Sequence, residues 1–352
     1  MAATQTHVYA GAARSLGGTL GGVFRQAAGE TEWRHLTAGL PEDTEVHAVT
    51  VHPQQPDVVY IGSTNGVFRS ANRGERWDRL DFAGTAPDVW SVLVHPKNPR
   101  VLYAGASPVS VYRSDDGGDH WKKLADPPLP GDRVIMGFAC RVMRLAIDPE
   151  NPDEVYATLE ANGAMRSRDR GESWQDCTAD LIRFCEDPKY RSRIGSQTEI
   201  EGMLDGHALA TSAAAPGSVF LANRMGLFKS PDRGQTWQDM EIGRFSPLTY
   251  GRDIRTSPHD PSVLYACLSL AARSTDGSIY RSEDVGRTWQ RFDRGIKAEA
   301  TMMAVAVHPR DSAQVYGASR VGQVFGTADG GRTWTESRLP EGVRDLYALA
   351  CA

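Results

Sequence analysis

An eight-residue pattern that recurs along the chain constrains the fold more than any other feature of the sequence. Residues 230–237 read Ser-Pro-Asp-Arg-Gly-Gln-Thr-Trp, which follows the pattern Ser-x-Asp-x-Gly-x-Thr-Trp. Self-similarity at a period of roughly 40 to 50 residues is typical of propellers and related repeat folds. The other copies stand at 114–121, 167–174, 282–289, 327–334 (with Thr first) and, more weakly, 70–77, where Asn72 replaces the Asp.

Each octet closes a unit of four short predicted strands. In the clearest unit, the runs 46–51, 57–62, 67–70 and 76–80 are rich in β-branched and aromatic residues and are separated by Pro, Gly or Asn. Six units are complete. The two ends of the chain supply a seventh, because a lone strand at 344–350 matches the first strand that the N-terminal unit lacks.

The predicted fold class is therefore all-β: one seven-bladed β-propeller of four-stranded antiparallel blades. We expect the C-terminal strand to join the N-terminal blade and close the ring, which removes exposed sheet edges. A long loop at 177–206 is inserted between two blades and is predicted to contain a short helix at 179–187 with Thr178 as its N-cap. The predicted blades are 7–36 with 344–352, 46–81, 89–124, 141–176, 207–240, 252–292 and 302–337.

Composition limits the classes of function. The 39 basic and 44 acidic residues give a net charge of −5, so no basic surplus indicates nucleic acid or an anionic membrane as a partner. No apolar run reaches the roughly 18 residues that a spanning helix needs. The five cysteines are scattered and show no metal-ligand spacing, and the N-terminus does not look like a secretory signal. We therefore expect a cytoplasmic protein.

The repeated polar residues are expected to be structural. The octet Asp can accept backbone N–H groups of its own turn, the octet Gly allows a positive φ, and the octet Trp can pack between sheets. His52, His95 and His308 also recur at one turn, before a proline, where a turn role is expected.

The octets resemble the Asp-box, or BNR repeat, of sialidase-like propellers. This resemblance covers nearly the whole chain and implies the propeller fold. Proteins with such repeats include sialidases, xyloglucan-type glycosidases, sortilin-like receptors and photosystem II assembly factors. The resemblance therefore leaves open whether the chain is an enzyme or an interaction scaffold.

The repeat register points to a candidate site on the face opposite the octets, where the longer and more variable loops lie. At the start of each innermost strand, beside the central channel, the units carry seven positions of mixed type: His47, Trp90, Met143, His207, Arg252, Met303 and Tyr347. Two places earlier stand Glu45, Asp88, Arg141, Asp205, Tyr250, Thr301 and Asp345. Purely structural demand would make the repeats agree here, so their disagreement favours a ligand site, although solvent exposure alone would also permit it.

We predict that this site belongs to a small-molecule or carbohydrate-binding enzyme, a hydrolase or lyase. His47, His207, Glu45 and Asp205 are the predicted catalytic residues, and His47 and His207 could also bind a divalent metal. The predicted ligand-binding residues are Trp90, Arg141, Arg144, Tyr250, Arg252, Asp253 and Tyr347, of which the arginines could hold a carboxylate or phosphate. The alternative is a non-catalytic scaffold for a protein partner.

Overall fold

Each predicted repeat folds into a sheet of four antiparallel strands. The computed structural model describes residues 5–14, 17–82, 87–129, 139–191 and 199–352. Within these residues seven such sheets follow one another around a ring, and the inner strand of each sheet packs against the inner strands of its neighbours. The predicted fold class, a seven-bladed propeller, is confirmed.

The strands and helices are short, as hairpin-built blades require. The strands of the first half are β1 His7–Ala13, β2 Gly22–Ala27, β3 Arg34–His35, β4 Val46–Val51, β5 Val59–Ser63, β6 Gly66–Ser70, β7 Asp78–Arg79, β8 Asp88–Val94, β9 Leu102–Ser107, β10 Ser110–Ser114, β11 Lys122–Lys123, β12 Val142–Ile147, β13 Val155–Leu159, β14 Gly163–Ser167 and β15 Gln175–Asp176. The helices are α1 Ala179–Arg183 and α2 Glu199–Leu204, with 3-10 turns at Phe184–Glu186, Pro188–Tyr190 and Ile242–Arg244. The remaining strands are β16 Gly206–Thr211, β17 Val219–Asn223, β18 Gly226–Ser230, β19 Gln238–Asp239, β20 Tyr250–Thr256, β21 Leu264–Ser269, β22 Gly277–Ser282, β23 Gln290–Arg291, β24 Met302–Val307, β25 Val315–Ser319, β26 Gln323–Thr327, β27 Thr335–Arg338 and β28 Asp345–Cys351.

The ring closes as predicted, because β28 is the inner strand of the blade formed by β1, β2 and β3. The pairing runs from Val8 opposite Cys351 to Ala13 opposite Asp345. His7 and Ala352 add two backbone hydrogen bonds of 2.7 and 3.0 Å beyond the end of β28. The two ends of the chain therefore hold each other in one sheet.

The hydrophobic core is divided among the interfaces between blades. Trp77 is 1% exposed and packs with Tyr9, Leu36 and Phe68, so its cluster joins the first and second blades. Gly62 lies where the next inner strand comes close, and a Cβ there would stand 2.7 Å from Val89 Cγ1. Small residues on the second strand thus let neighbouring blades pack tightly.

The octet turns satisfy their own polar groups. In residues 230–237, Asp232 Oδ1 accepts the Thr236 N–H at 2.8 Å, and Asp232 Oδ2 accepts the Thr236 hydroxyl at 2.7 Å. Ser230 Oγ accepts the Gly234 N–H at 2.7 Å, and Gly234 has a φ of +87°. These contacts agree with the structural role expected for the octets.

The histidine turns also agree with a structural role. His95 Nδ1 accepts the N–H groups of Lys97 and Asn98 at 3.1 and 3.0 Å. Asp148 occupies the equivalent turn and accepts two N–H groups at 2.9 and 3.0 Å. Burial lowers the pKa of His95, which keeps the ring neutral and its Nδ1 free to accept.

The inserted loop differs from its prediction. The helix predicted at 179–187 begins after Thr178, its N-cap residue as predicted, but it is shorter than predicted: α1 ends at Arg183 and a 3-10 turn follows. The Thr178 hydroxyl donates to Asp176 Oδ1 at 2.6 Å instead of capping the helix. Part of the predicted loop, 192–198, lies outside the described residues. No helix in the described part of the chain is long and apolar enough to cross a membrane.

Candidate functional site

Seven β-bulges direct seven side chains, of five residue types, into the central channel. In every inner strand the pairing register with the second strand shifts by one residue, and the residue left without a pairing partner is the one that the repeat register predicted. A bulge turns its extra residue out of the ordinary alternation of the strand. We call these residues the bulge ring: His47, Trp90, Met143, His207, Arg252, Met303 and Tyr347.

All seven bulge-ring residues line one cavity of about 220 Å³ in the channel. The cavity follows the inner strands from His47 toward Pro53 and Pro96, at the turns on the octet face. The predicted placement of these side chains beside the channel is thus found in the structure, whereas their role in a site stays a prediction.

We call the end of the channel at the bulge ring the mouth. One side of the mouth is an aromatic stack built around Trp90. The His47 ring lies parallel to the Trp90 ring with 3.8 Å between centroids, and the Arg141 guanidinium lies 4.0 Å from the Trp90 centroid. Tyr347 meets both His47 and Trp90 edge-on, at 5.6 and 5.2 Å. Because His47 and Arg141 cover the two faces of Trp90, this ring positions its neighbours and offers a ligand only its edge.

Two acidic residues flank this stack. Asp88 Oδ2 accepts the Trp90 Nε1–H at 2.8 Å, and Asp88 Oδ1 lies 3.2 Å from His47 Nδ1. Burial alone would raise the pKa of Asp88, but the contacts with His47 and Trp90 outweigh it and lower this pKa. Glu45 lies 4.0 Å from His47 Nε2 and 3.4 Å from Arg14 Nε.

The other side of the mouth contains a buried polar network around His207. His207 Nδ1 lies 2.7 Å from the Gly251 carbonyl oxygen and must donate to it, so the proton of the neutral ring is on Nδ1. Nε2 can then accept the Tyr250 hydroxyl, 3.2 Å away. Burial lowers the pKa of His207 and raises that of Tyr250 to about 12, which favours this neutral pair.

Asp205 completes the network as a buried anion. Its Oδ2 lies 3.3 Å from His207 Nε2 and accepts two Arg224 N–H groups at 3.0 and 2.7 Å. Burial would raise the pKa of Asp205, but His207 when its ring is protonated, and Arg224 at all times, hold it well below its usual range. Glu201 of α2 lies 3.3 Å from Arg224 and so ties the inserted loop to this network.

Asp253 serves the scaffold, contrary to its predicted place among the ligand-binding residues. Its side chain is fully buried and accepts the N–H of Val305 in the next blade at 3.2 Å. Arg144 reaches it from two blades away, with 3.1 Å between Nη2 and Oδ1, and Arg255 Nε lies 3.2 Å from Oδ2. Arg144 and Asp253 therefore form an ion pair across the ring. Together with the Val305 N–H, this pair links three blades.

Glu160 is a candidate site residue that the inner-strand pattern of the sequence does not reveal. It follows β13 in the turn to β14, and its Oε2 lies 3.2 Å from Arg141 Nε. Burial is the main reason that the pKa of Glu160 rises to about 7, and Asp205 adds to it, against the opposing charge of Arg141. The repeat register could have found it, because the residues after the second strands also disagree: Arg14, Thr64, Pro108, Glu160, Arg224, Leu270 and Arg320.

The donor set does not support the predicted divalent-metal site. Across the described ranges, no group of three or more His, Cys, Asp or Glu side chains is placed to hold a metal ion. His207 uses Nδ1 for the Gly251 carbonyl and Nε2 for Tyr250, so neither nitrogen is free to bind a metal.

Comparison with known proteins places the fold among sugar-cleaving and peptide-bound propellers. No protein-family model matches the chain. A xyloglucanase of Paenibacillus sp. is 27% identical over 192 residues, which is 50% of this chain and 16% of that protein. Xyloglucanase Xgh74A of Acetivibrio thermocellus is 24% identical over 172 residues, 47% of this chain and 19% of the relative. The chain thus spans less than a fifth of the length of these relatives.

Solved structures give the same fold. The GH74 xyloglucanase from Xanthomonas campestris matches with a TM-score of 0.61 at 18% identity, over 87% of this chain and 46% of that one. YCF48 from Cyanidioschyzon merolae matches at 0.56 and 15% identity, over 85% and 87% of the two chains. YCF48 bound to D1 peptide matches at 0.52 and 15% identity, over 83% and 80%. The chain is a seven-bladed β-propeller with GH74 xyloglucanases and YCF48 among its structural neighbours.

Proposed function

We propose that the protein binds a small polar ligand of about sugar size at the channel mouth and acts on it as a hydrolase or lyase. The observation that carries this proposal is the bulge ring: seven equivalent β-bulges deliver side chains of five different types to one cavity. The backbone geometry of a bulge does not require a particular side chain. The residue at each bulge can therefore be one that binds the ligand. The cavity of about 220 Å³ suits a ligand smaller than the drug-sized molecules that fill roughly 300–1,000 Å³.

Acid–base chemistry is supported by two buried carboxyl groups that act on Arg252 in the cavity wall and have opposite pKa shifts. Burial raises the pKa of Glu160 to about 7, whereas the charge of Arg224 helps to keep the pKa of Asp205 low despite burial. A group that titrates near neutral pH can both give and take a proton during turnover. Glu160 is therefore our candidate proton-transfer group, and the xyloglucanases among the relatives favour a carbohydrate as the ligand.

The test is a binding and turnover screen with the full chain. Neutral monosaccharides, sugar acids and small hydroxy acids are titrated by calorimetry, and hydrolysis or elimination is followed for glycosides of the ligands that bind. Tyr347→Ala should weaken binding at least tenfold, while Tyr112→Ala, a tyrosine of similar exposure outside the cavity, should not. Glu160→Gln should keep binding and lower turnover by about 100-fold or more. The proposal would be overturned if no ligand binds, or if Tyr347→Ala leaves the affinity of the ligand unchanged.

A second candidate, an interaction scaffold, is favoured by a groove of about 350 Å³ beside the mouth. The inserted loop lines it with Lys189 and Tyr190, and the opposite wall carries Arg244 and Leu270, one of the exposed large hydrophobic residues. A structural neighbour is described as bound to a peptide. If the small-molecule screen fails, this groove is the surface to test with peptides.

A further inference from the structure

The arginines around the channel mouth fall into two groups. Most have a carboxylate partner within 3.5 Å. These pairs are Arg14 with Asp43 and Glu45, Arg141 with Glu160, Arg144 and Arg255 with Asp253, Arg224 with Asp205 and Glu201, and Arg320 with Asp345. Arg252 is different, because it has no ion pair and no hydrogen bond with any residue that the structure describes.

Arg252 is also deeply placed. It is the bulge residue of β20, only 9% of its surface is exposed, and it lines the cavity. Its guanidinium lies 5.8 Å from the centroid of the Tyr347 ring, a weak substitute for a counter-ion. Burial disfavours this charge, and Asp205 and Glu160 favour it without forming an ion pair with it, so its N–H groups are left for a ligand.

We propose that Arg252 is the receptor for a carboxylate of the ligand, and that the ligand is a small monocarboxylic acid, either a sugar acid or a hydroxy acid. This inference rests on the proposed function and narrows its ligand class. The planar guanidinium can hold both carboxylate oxygens through two parallel N–H bonds. No other arginine of the mouth has its charge available among the described residues, so the sequence candidates Arg141 and Arg144 are set aside for this role.

The carboxylates near Arg252 favour a monoanion over a phosphate. Arg252 itself contributes one positive charge without an ion-pair partner, and a monoanion would neutralise it. A dianionic phosphate would place a second negative charge in a buried site close to Asp205 and Glu160, both of which already act on Arg252. Charge interactions are strong in such poorly solvated surroundings, so the second charge would weaken binding.

The experiment compares matched ligands on matched variants by calorimetry with the full chain. Glucuronate, glucose, lactate, glucose 6-phosphate and inorganic phosphate are titrated into the wild type, Arg252→Gln, Arg252→Lys and Arg76→Gln. Arg76 is exposed and distant in sequence from the mouth, so Arg76→Gln controls for the loss of one positive charge. Circular dichroism melting checks that each variant is folded. Arg252→Lys keeps the charge and loses the fork, which gives a second test if Arg252→Gln does not fold.

We expect at least one of the two acids to bind the wild type, glucuronate identifying a sugar acid and lactate a hydroxy acid. Arg252→Gln should weaken that acid by about 10- to 100-fold, as expected for the loss of a charged hydrogen bond, and Arg76→Gln should leave it within about twofold. Phosphates that bind as tightly as the acids would overturn the carboxylate assignment. Glucose binding that depends on Tyr347 but not on Arg252 would refute this inference alone, whereas no Tyr347-dependent binding of any ligand would refute the proposed function as well.

Discussion

The two ends of the propeller strands differ in how far the repeats agree. At the octet face, the turns repeat both their backbone and their side chains, and Asp232 shows that the polar groups are satisfied within one turn. At the channel mouth, the blades repeat only the backbone bulge. There the partners come from other blades, as with His207 and the Gly251 carbonyl or Arg144 and Asp253. Hydrogen bonds made within one turn depend only on the residues of that turn, so the same motif can recur in every blade. Contacts between blades depend on different neighbours at each position, so the residues there differ.

The two ends also differ in their contribution to stability. The octets bury tryptophans and leave few polar groups without partners, so they stabilise the blades. The mouth buries Arg252 without a described partner and raises the pKa of Glu160 to about 7. The raised pKa of Glu160 favours unfolding at neutral pH, and such a cost is characteristic of sites kept for function.

The comparison predicts that an octet tryptophan matters to the fold much more than an aromatic residue of the mouth. Trp237 is 2% exposed, shares a buried cluster with Phe228 of its own blade and Tyr156 of the preceding one, and donates its Nε1–H to the Cys177 carbonyl at 2.8 Å. Trp237→Ala should lower the free energy of unfolding by about 3–5 kcal/mol. Tyr347→Ala should cost less than half of this, because the Tyr347 ring borders an open cavity. Urea denaturation measures both.

Ligand affinity, measured on the same two variants, should show the opposite order of effects. Trp237→Ala should keep the affinity of the folded protein, whereas Tyr347→Ala should lose it. Equal stability losses from the two substitutions would contradict the division between a structural and a functional end.

The next prediction separates two arginines within the mouth itself. Arg144→Met removes a partner of Asp253, which is fully buried, and should lower the free energy of unfolding by on the order of 3 kcal/mol. Burial, with the nearby charge of Arg255, lowers the pKa of Arg144 to about 10, so Arg144 remains charged at neutral pH. Arg252→Met removes a buried charge that has no described partner and should leave stability unchanged or raise it by up to about 1 kcal/mol.

Thermal or urea denaturation at pH 7 without added ligand gives both values. A loss of stability on Arg252→Met as large as that on Arg144→Met would mean that Arg252 has a structural partner, and the receptor role would lose its main support.

The fold could be predicted from the sequence because its determinants are local. The octet turn and the alternation of short strands depend on neighbouring residues, and the register of the repeats carries this information as far as the channel. The register alone is enough to place His47, Trp90 and the rest of the bulge ring beside the channel, where their side chains line the cavity. The closing strand could be predicted as well, because the N-terminal unit lacks a first strand and the C-terminus carries a lone one.

The pairing of charges at the mouth could not be predicted in this way. Arg144 and Asp253 are 109 residues apart in sequence and two blades apart in the ring. Whether an arginine has a carboxylate partner depends on the distance between side chains of different blades. The spacing of residues in the sequence does not give this distance. Glu160 escapes prediction for a related reason: a register of the inner strands does not include the turns after the second strands, although these turns reach the same mouth.

The smallest predicted effect concerns pH and the turns on the octet face. His52 and His308 use Nδ1 as an acceptor as His95 does, and burial lowers the pKa of all three. A lowered pKa means that the folded state holds the neutral ring more firmly than the unfolded state, whose histidines titrate near 6.5. The stability from each turn is therefore complete above about pH 6.5 and falls as the pH drops through the unfolded pKa toward the lower folded one.

His95→Asp tests this dependence with a residue that the fold already uses, because Asp148 accepts the same two N–H groups in a neighbouring blade. The wild type should lose up to roughly 1 kcal/mol more stability than His95→Asp between pH 7.5 and pH 5.5, since an aspartate remains ionised over this interval. Urea denaturation at the two pH values gives the difference. The paired comparison cancels the titration of Glu160, which is common to both proteins and acts in the opposite direction: its raised pKa favours the folded state more as the pH falls from 7 toward 4.5. An identical pH response of the two proteins would show that His95 does not need its neutral form to hold the turn.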